Sequence, residues 1–548
     1  MAHALAGKPV QEQDIIDVQT IVDAYFDNVP DMTNPTQLVS FGTSGHRGTS
    51  VDGTFTDLHV AAITQAICDG RKQFGATGPI FVGQDTHALS QPALVTVLEV
   101  LAGNGVTAMV DCDMAFVPTP SVSRAIIRYN EEHDDKADGI IITPSHNPPD
   151  NGGIKYNTII GGPADTVVTK WIEMRANEYL TAYCESEDFK RISIDNIEPT
   201  AQVPYDYKGL YVEELGDVIN MEAIKAAGPK VLVDTLGGSG ASYWNAIKER
   251  YGLDLTIIHD DYDPTFSFMT YDHDGKVRMD CSSTYVMASV INRIGDFDLA
   301  VGNDPDYDRY GIVVSSGLIS ANTFLTLAAR YLFTTRGWKN KGVGKTVVCT
   351  TMIDKWAADA ETPVFEVPVG FKYFSQLLFD GAIGIGGEES AGASFLKKDG
   401  TVWTTDKDGM IMALLSMEIM AVMGKSALKM ADEFVEEFGN PSFGRIDAPC
   451  KKEQKQILKQ MSAELITATT VDGDLITNIR TTSLYNDMPI DGVRVETDKG
   501  WFVARPSGTE DLYKIYGESY KGDLGLVALL TAGEEIVNAA LNGTIETE

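Results

Sequence analysis

The sequence predicts an α/β protein made of repeated strand–helix sets, followed by a tail of different type. Short branched apolar runs alternate with stretches of helical period, the pattern of right-handed crossovers and mainly parallel sheets. The pattern restarts at Lys230–Asp234, after a Glu- and Asp-rich segment around 185–205 that reads as a linker, and again near Thr346. From about residue 430 it gives way to a more polar region with another strand grammar. A chain of 548 residues suffices for about three to five domains.

In order, helical periodicity over Leu58–Cys68 precedes an apolar run Ile80–Gly83, a helix over Ala93–Ala102 and a strand over Val106–Val110. A helix over Val122–Tyr129 then leads to the branched run Ile140–Ile142. Later strands are expected at Asp298–Gly302, Thr346–Thr350, Phe365–Pro368 and Ala382–Gly387, and in the tail at Gly492–Glu496, Trp501–Ala504 and Lys514–Tyr516 before a helix over Leu524–Leu541. Met410–Met423 carries five methionines but is broken by Ser416 and Glu418, so it reads as a buried helix and not a membrane span.

Composition narrows the function. A formal net charge of -34 and a pI near 4.5 repel nucleic acid and anionic membranes, so an anionic substrate must be held by cations gathered locally. Six scattered cysteines without a CxxC pair fit a reducing cytoplasm, and Met1–Lys8 lacks an apolar leader core. Neither heptads nor an apolar stripe settles between monomer and dimer.

The chemistry sits in loops that follow strands. After Ile142 the run Thr143-Pro-Ser-His-Asn-Pro-Pro149 must leave the sheet, and its prolines hold Ser145 in few conformations, as suits a nucleophile or phosphate carrier. Lys155, ten residues on between a Gly pair and Tyr156, is a phosphate or proton-transfer group. Upstream, Gly42-Thr-Ser-Gly-His-Arg47-Gly48 can bring backbone N–H groups to an anion. In Asn303-Asp-Pro-Asp-Tyr-Asp-Arg309 the carboxylates of Asp304, Asp306 and Asp308 project to one side of an extended segment. Oxygen-only ligands that close call for magnesium, and Arg309 stands ready to pair with phosphate beside it. Lys372 lies at a turn into a helix, while Glu388, Glu389 and Ser390 end a strand with groups that bind sugar hydroxyls. Arg505, Ser507, Gly508 and Thr509 share one tight turn, a good phosphate grip. Three look-alikes fail: Gly237–Gly240 lacks dinucleotide spacing, Asp272–Gly275 has Thr270 and Cys281 where a calcium loop needs acids, and Gly342–Thr346 has Lys339 where a P-loop needs Gly.

Taken in order, these motifs resemble the phosphoglucomutases of the α-D-phosphohexomutase superfamily along nearly the whole chain. The resemblance implies three similar α/β domains with mainly parallel sheets and a C-terminal α+β domain around a central cleft, divided as 1–205, 206–318, 319–430 and 431–548. It implies Ser145 as phosphoserine, Asp304, Asp306 and Asp308 with Ser145 as Mg2+ ligands, Glu388 and Ser390 on sugar hydroxyls, and the Arg505 loop on phosphate. Arg47, Lys155, His146 and Lys372 become proton-transfer and phosphate-contact groups, with Lys155 first and His146 second as the base. The implied reaction interconverts glucose 1-phosphate and glucose 6-phosphate, with glucose 1,6-bisphosphate as intermediate and activator. Another hexose phosphate, or a non-catalytic sugar-phosphate binder, is the alternative. Glu389 and the small Ala391-Gly-Ala393 favour glucose, and His87 stands where many relatives have Arg.

Overall fold

Branched residues at Ile140–Ile142 make a strand buried at every position, and the first sheet assembles around it. In the computed structural model, which describes residues 2–42, 45–184, 189–425, 427–507 and 512–542, this sheet has six strands. Asp138–Ile142, Ile80–Gln84, Ala108–Asp111 and Gln202–Tyr205 run parallel, while Asn151–Asn157 and His46–Thr49 add antiparallel pairs at one edge. Ser145 therefore leaves the carboxyl end of a central strand, where open α/β sheets bind ligands.

The second sheet has parallel strands Val231–Asp234, Leu255–Ile258 and Leu299–Gly302 with an antiparallel margin. In the third, Gly342–Thr346 lies between Val364–Val367 and Ile383–Gly387, all parallel, and Ala393–Phe395 pairs antiparallel at the edge. One hydrophobic cluster runs through both units and includes the buried Met-rich helix Gly409–Met423. The fourth sheet is wholly antiparallel, with the helix Gly522–Leu541 packed on it through Leu529, Leu530 and Val537.

Several expectations change. The strand expected at Thr346–Thr350 is Gly342–Thr346, and residues 347–350 form a turn. Its glycines look unlike a strand, yet the rings of Phe365 and Phe374 lie where Cβ atoms of Gly342 and Gly344 would stand. The expected linker is also structured where described. Phe189 packs into the first core, Arg191 pairs with Asp57 and Glu99, and Gln202–Tyr205 closes the sheet edge; residues 185–188 lie outside the described part. The N-terminal arm belongs to the second unit, not the first: Gly7 N donates to Tyr271 O, Tyr271 N to Lys8 O and Val10 N to Met269 O, while Leu5 and Val10 pack on that unit's core. The helix Ala427–Phe438 crosses the expected boundary at 430 and buries Met430, Phe434 and Phe438 with the third unit. Finally, among the described residues Gly522–Leu541, not Met410–Met423, is the single helix long and apolar enough to cross a membrane by length and composition, its Leu, Val, Ile and Ala residues giving a mean hydropathy of 1.5.

Candidate active site

All four units face one cleft of about 1170 Å³. Ser145 lies on its floor, 1% exposed, with φ of +62° in the left-handed region. Its loop is braced from behind: Ser145 N donates to Thr143 Oγ1 (2.7 Å), which donates to Asp85 Oδ2 (2.6 Å). Asp85 is fixed in turn by His87, whose other ring nitrogen meets Asn147 O at 3.0 Å. His87 therefore braces the serine loop from inside. The metal loop and the sugar loop turn through left-handed non-glycine residues as well, Tyr307 (φ 62°) and Ala391 (φ 65°). Such strain costs about 1–3 kcal/mol each and persists only where packing over-determines it.

The metal loop is gripped from three sides. Thr119 N and Oγ1 of the first unit donate to Asp306 O and Oδ2, and Ser239 N and Oγ donate to Pro305 O. The third unit binds it as Tyr310 N donates to Ala391 O and Gly409 N to Tyr307 O. The glycine turn 237–240 thus serves as a cradle: a Cβ at Gly238 or Gly240 would strike Pro305 or Tyr307. Asp304, Asp306 and Asp308 are fully buried and each brings an oxygen within 4.8 Å of the others. Asp306 Oδ1 and Asp308 Oδ1 are buried without a hydrogen-bond partner. Burial and its two neighbours push Asp304 well above the usual carboxylate range, whereas Lys407, Lys155 and Arg309 hold Asp308 well below it despite burial. Orphaned, mutually repelling carboxylate oxygens fit a hard divalent cation.

Ser145 Oγ lies 3.2 Å from Asp304 Oδ2 and 3.2 Å from His146 Nδ1. Lys155, whose strand pairs it with Ile141, places Nζ 2.6 Å from Asp306 and 3.2 Å from Asp308. Although burial opposes its charge, those aspartates hold it above the usual lysine range, so it keeps its proton. Arg47 reaches Asn147 Oδ1 at 3.5 Å, and Arg309 approaches Asp280 at 3.6 Å and Asp308 at 3.9 Å.

On the far wall, Glu388 is buried and Ser390 is half-buried. Burial pushes the Glu388 carboxyl up to about 7, with Lys407 opposing and Glu389 adding. Lys372 Nζ donates to Thr166 Oγ1 (2.8 Å), joining the third unit to the first at the rim. Arg505 and Ser507 line the cleft from the fourth unit, while Gly508 and Thr509 lie outside the described residues.

Sequence reasoning missed two groups here. Lys407 Nζ lies 2.9 Å from Asp308 and 3.5 Å from Asp406; its signal was a lysine between two aspartates just before a helix. Arg445 and Lys514, on adjacent strands, face the cleft beside Arg505.

Family models named phosphoglucomutase/phosphomannomutase match the chain in four pieces. Alpha/beta/alpha domains I, II and III cover residues 38–182, 210–317 and 320–438, and the C-terminal domain covers 447–524. The chain belongs to the phosphoglucomutase/phosphomannomutase family. A Komagataeibacter xylinus phosphoglucomutase is 46% identical over 97% of each chain, and phosphoglucomutase 1 of Saccharomyces cerevisiae is 27% identical over 88% of each. Among solved structures, the Paramecium phosphoprotein parafusin in its open form superposes with a TM-score of 0.71 at 20% identity, covering 94% of this chain and 96% of its own. A family protein from Burkholderia thailandensis gives 0.69 at 21%, covering 92% and 99%. At such identities the structures speak for the fold, and the three α/β units with a C-terminal α+β unit are the phosphoglucomutase/phosphomannomutase arrangement.

Proposed function

We propose that the chain is a phosphoglucomutase interconverting α-D-glucose 1-phosphate and glucose 6-phosphate through phosphoserine 145 and glucose 1,6-bisphosphate. The observation that carries this is a buried serine hydroxyl, 3.2 Å from both a histidine and a triad aspartate, at the floor of a cleft whose opposite wall holds a second set of cations. Two phosphate positions separated by hydroxyl-binding groups suit a sugar that presents either end to the serine.

In the first half-reaction the free sugar hydroxyl attacks the phosphorus on Ser145 and gives up its proton, the P–Oγ bond breaks, Ser145 Oγ takes a proton by way of His146, and the bisphosphate forms. After the sugar turns over, Ser145 Oγ takes back the other phosphoryl group. Asp304, Asp306 and Asp308, with the serine's own oxygens, would hold a Mg2+ ion, which when bound neutralises charge on the moving phosphoryl group. Arg309 and Arg47 line the cleft near this group, while Lys155 and Lys407 offset the repulsion between Asp306 and Asp308. The proton-transfer role falls to His146, which touches Ser145 Oγ, ahead of Lys155. Glu388 and Ser390 would take sugar hydroxyls, and Arg505, Ser507, Gly508, Thr509 and Lys372 the phosphate that stays put. The free thiols fit a cytoplasmic enzyme, and the cations gathered in the cleft hold small anions against a net charge of -34.

The test is a coupled assay of glucose 6-phosphate formation with Mg2+ and a trace of glucose 1,6-bisphosphate. Wild type should turn over, and Ser145→Ala should lose roughly 10⁴-fold or more in kcat. Faster turnover of mannose 1-phosphate or N-acetylglucosamine 1-phosphate would move the substrate assignment, and net release of inorganic phosphate would replace the mutase by a phosphatase.

A further inference from the structure

One carboxylate beside the serine belongs to neither the metal triad nor the sugar loop. Residues 271–280 of the second unit run into the cleft, and Met279 N donates to His146 O at 3.2 Å, pinning this segment to the serine loop backbone to backbone. One residue on, Asp280 Oδ2 lies 4.0 Å from His146 Nε2 and 3.6 Å from Arg309 Nη1. Its other oxygen accepts from Ser282 N (3.0 Å) and Ser282 Oγ (2.7 Å), so the side chain is fixed before substrate arrives. The opposite ring nitrogen, His146 Nδ1, is the one 3.2 Å from Ser145 Oγ. The imidazole is thus bracketed by a hydroxyl and a carboxylate, contributed by different units.

We infer that Asp280 is a positioning residue for phosphoryl transfer: it holds His146 with its proton on Nε2, which leaves Nδ1 as a hydrogen-bond acceptor aimed at the Ser145 hydroxyl. A neutral imidazole has one N–H, and what each nitrogen faces decides which carries it. At 4.0 Å the Asp280 contact is longer than a hydrogen bond, but a carboxylate at that range still favours the N–H facing it over a lone pair. The choice matters because Ser145 Oγ has two acceptors within reach. With the proton on Nδ1, the hydroxyl would accept from the ring and turn its own hydrogen to Asp304; with the proton on Nε2, the hydroxyl donates to Nδ1 and its lone pairs face the cleft. Asp280 Oδ2 also lies 3.6 Å from Arg309 Nη1, so one carboxylate faces two groups of the cleft floor.

The segment that leads to Asp280 is paired further back with the N-terminal arm, which lies outside the family-matched regions that begin at residue 38. The N-terminal arm hydrogen-bonds along residues 269–273, including His3 N to His273 O at 2.8 Å. Asp14 accepts from the Tyr271 hydroxyl at 2.5 Å.

The inference rests on Ser145 being the phosphoryl carrier, and the experiment separates the two. Full-length wild type, Asp280→Ala, Asp280→Asn and Ser145→Ala are assayed for kcat and KM on glucose 1-phosphate with Mg2+. The ring nitrogens of His146 are read by 15N NMR in histidine-labelled protein, assigned by difference from His146→Gln. Wild type should show the Nε2–H form. Asp280→Ala should lose that preference and about 10–100-fold in kcat with KM within about threefold, the size of effect that outer-shell orienting partners have at metal-bound histidines. Asp280→Asn, which keeps an acceptor oxygen, should regain the tautomer and come within about fivefold of wild-type kcat. An inactive wild type overturns the mutase reading and the inference with it. An active wild type in the Nδ1–H form, an Asp280→Ala enzyme with unchanged kcat, or one that slows while its tautomer stays put overturns the inference alone.

Discussion

The two ends of the cleft are built on opposite plans. At the serine end, charges from three units are already paired in the buried interior: Lys155 of the first and Lys407 of the third both reach Asp308 of the second, and Thr119 holds Asp306. At the Arg505 end the ion pairs tie the fourth unit to the third well behind the cleft. Arg480 grips Glu366, which is almost fully buried, and Val347, Val348, Ile490 and Trp501 pack beside them. On the cleft face itself Arg445 pairs within its own strand, with Asp447. The difference follows from the chemistry. Phosphoryl transfer gains most from dipoles and charges that need not reorganise as the reaction proceeds, so the transferring end is rigid before substrate arrives. On the proposed reading the other end takes up, releases and exchanges a phosphate from either end of the sugar, while the fourth unit stays fixed to the third through Arg480 and Glu366.

The contrast is broken most severely by emptying the rigid end. Lys155→Ala leaves Asp306 and Asp308 facing one another across a dry gap, and we expect a kcat loss of about 10²–10³-fold, the scale of one removed electrostatic stabiliser. Breaking a buried pair in this way costs about 3–5 kcal/mol of stability, which Mg2+ should partly restore by taking the place of the ammonium between the carboxylates. Kinetics together with thermal melts with and without Mg2+ check this. A variant within threefold of wild-type kcat would show that pre-pairing there serves folding and not transfer.

At the other end, Arg505→Ala should raise KM for glucose 1-phosphate by about 10–100-fold, with a smaller effect on kcat, because it removes the proposed phosphate contact from the cleft wall, one made in both ground and transition states. Stability should stay within about 1 kcal/mol of wild type. If kcat fell as far as in Lys155→Ala with KM unchanged, both ends would be acting on the moving phosphoryl group, and the division between them would collapse.

The same contrast explains what the sequence disclosed. Each loop whose chemistry is local announced itself: Ser145 between prolines, three alternating aspartates, and Arg505 before a glycine turn are short-range patterns that only a turn at a strand end explains. Groups that act by reaching across a unit boundary did not. Lys407, between two aspartates, and Asp280 lie in turns without a recognisable motif, and their meaning lies in partners about a hundred positions or more away, Asp308 for the first and His146 for the second. The fold shows the same division. Branched runs gave away the central strands, whereas Gly342–Thr346 stayed hidden because its packing surface is supplied by Phe365 and Phe374 from elsewhere. The N-terminal arm carries too little apolar surface to have a fate of its own, and its backbone pairing with residues 269–273, with Leu5 and Val10 on that unit's core, assigns it to the second unit.

The finest test of the comparison concerns the group that stands between the two ends. Burial raises the Glu388 carboxyl to about 7 from the ordinary glutamate value of about 4.5, so between those pH values the native protein holds a proton that the unfolded chain has released. Stability must therefore fall as pH rises through that window, and above it the whole penalty of a buried charge is in force. Glu388→Gln keeps the shape and the hydrogen-bonding oxygen without the charge, while Lys407 retains Asp308 and Asp406. The variant should melt on the order of 2 °C higher than wild type at pH 8, and no higher at pH 4.5. Its KM for glucose 1-phosphate should rise only about two- to tenfold, since an amide still accepts from a sugar hydroxyl but more weakly than a carboxylate. A melting difference that did not change with pH would mean that Glu388 is stabilised as an anion by Lys407. It would then belong to the pre-paired serine end, and the boundary between rigid and exchanging halves of the cleft would have to be drawn on its other side.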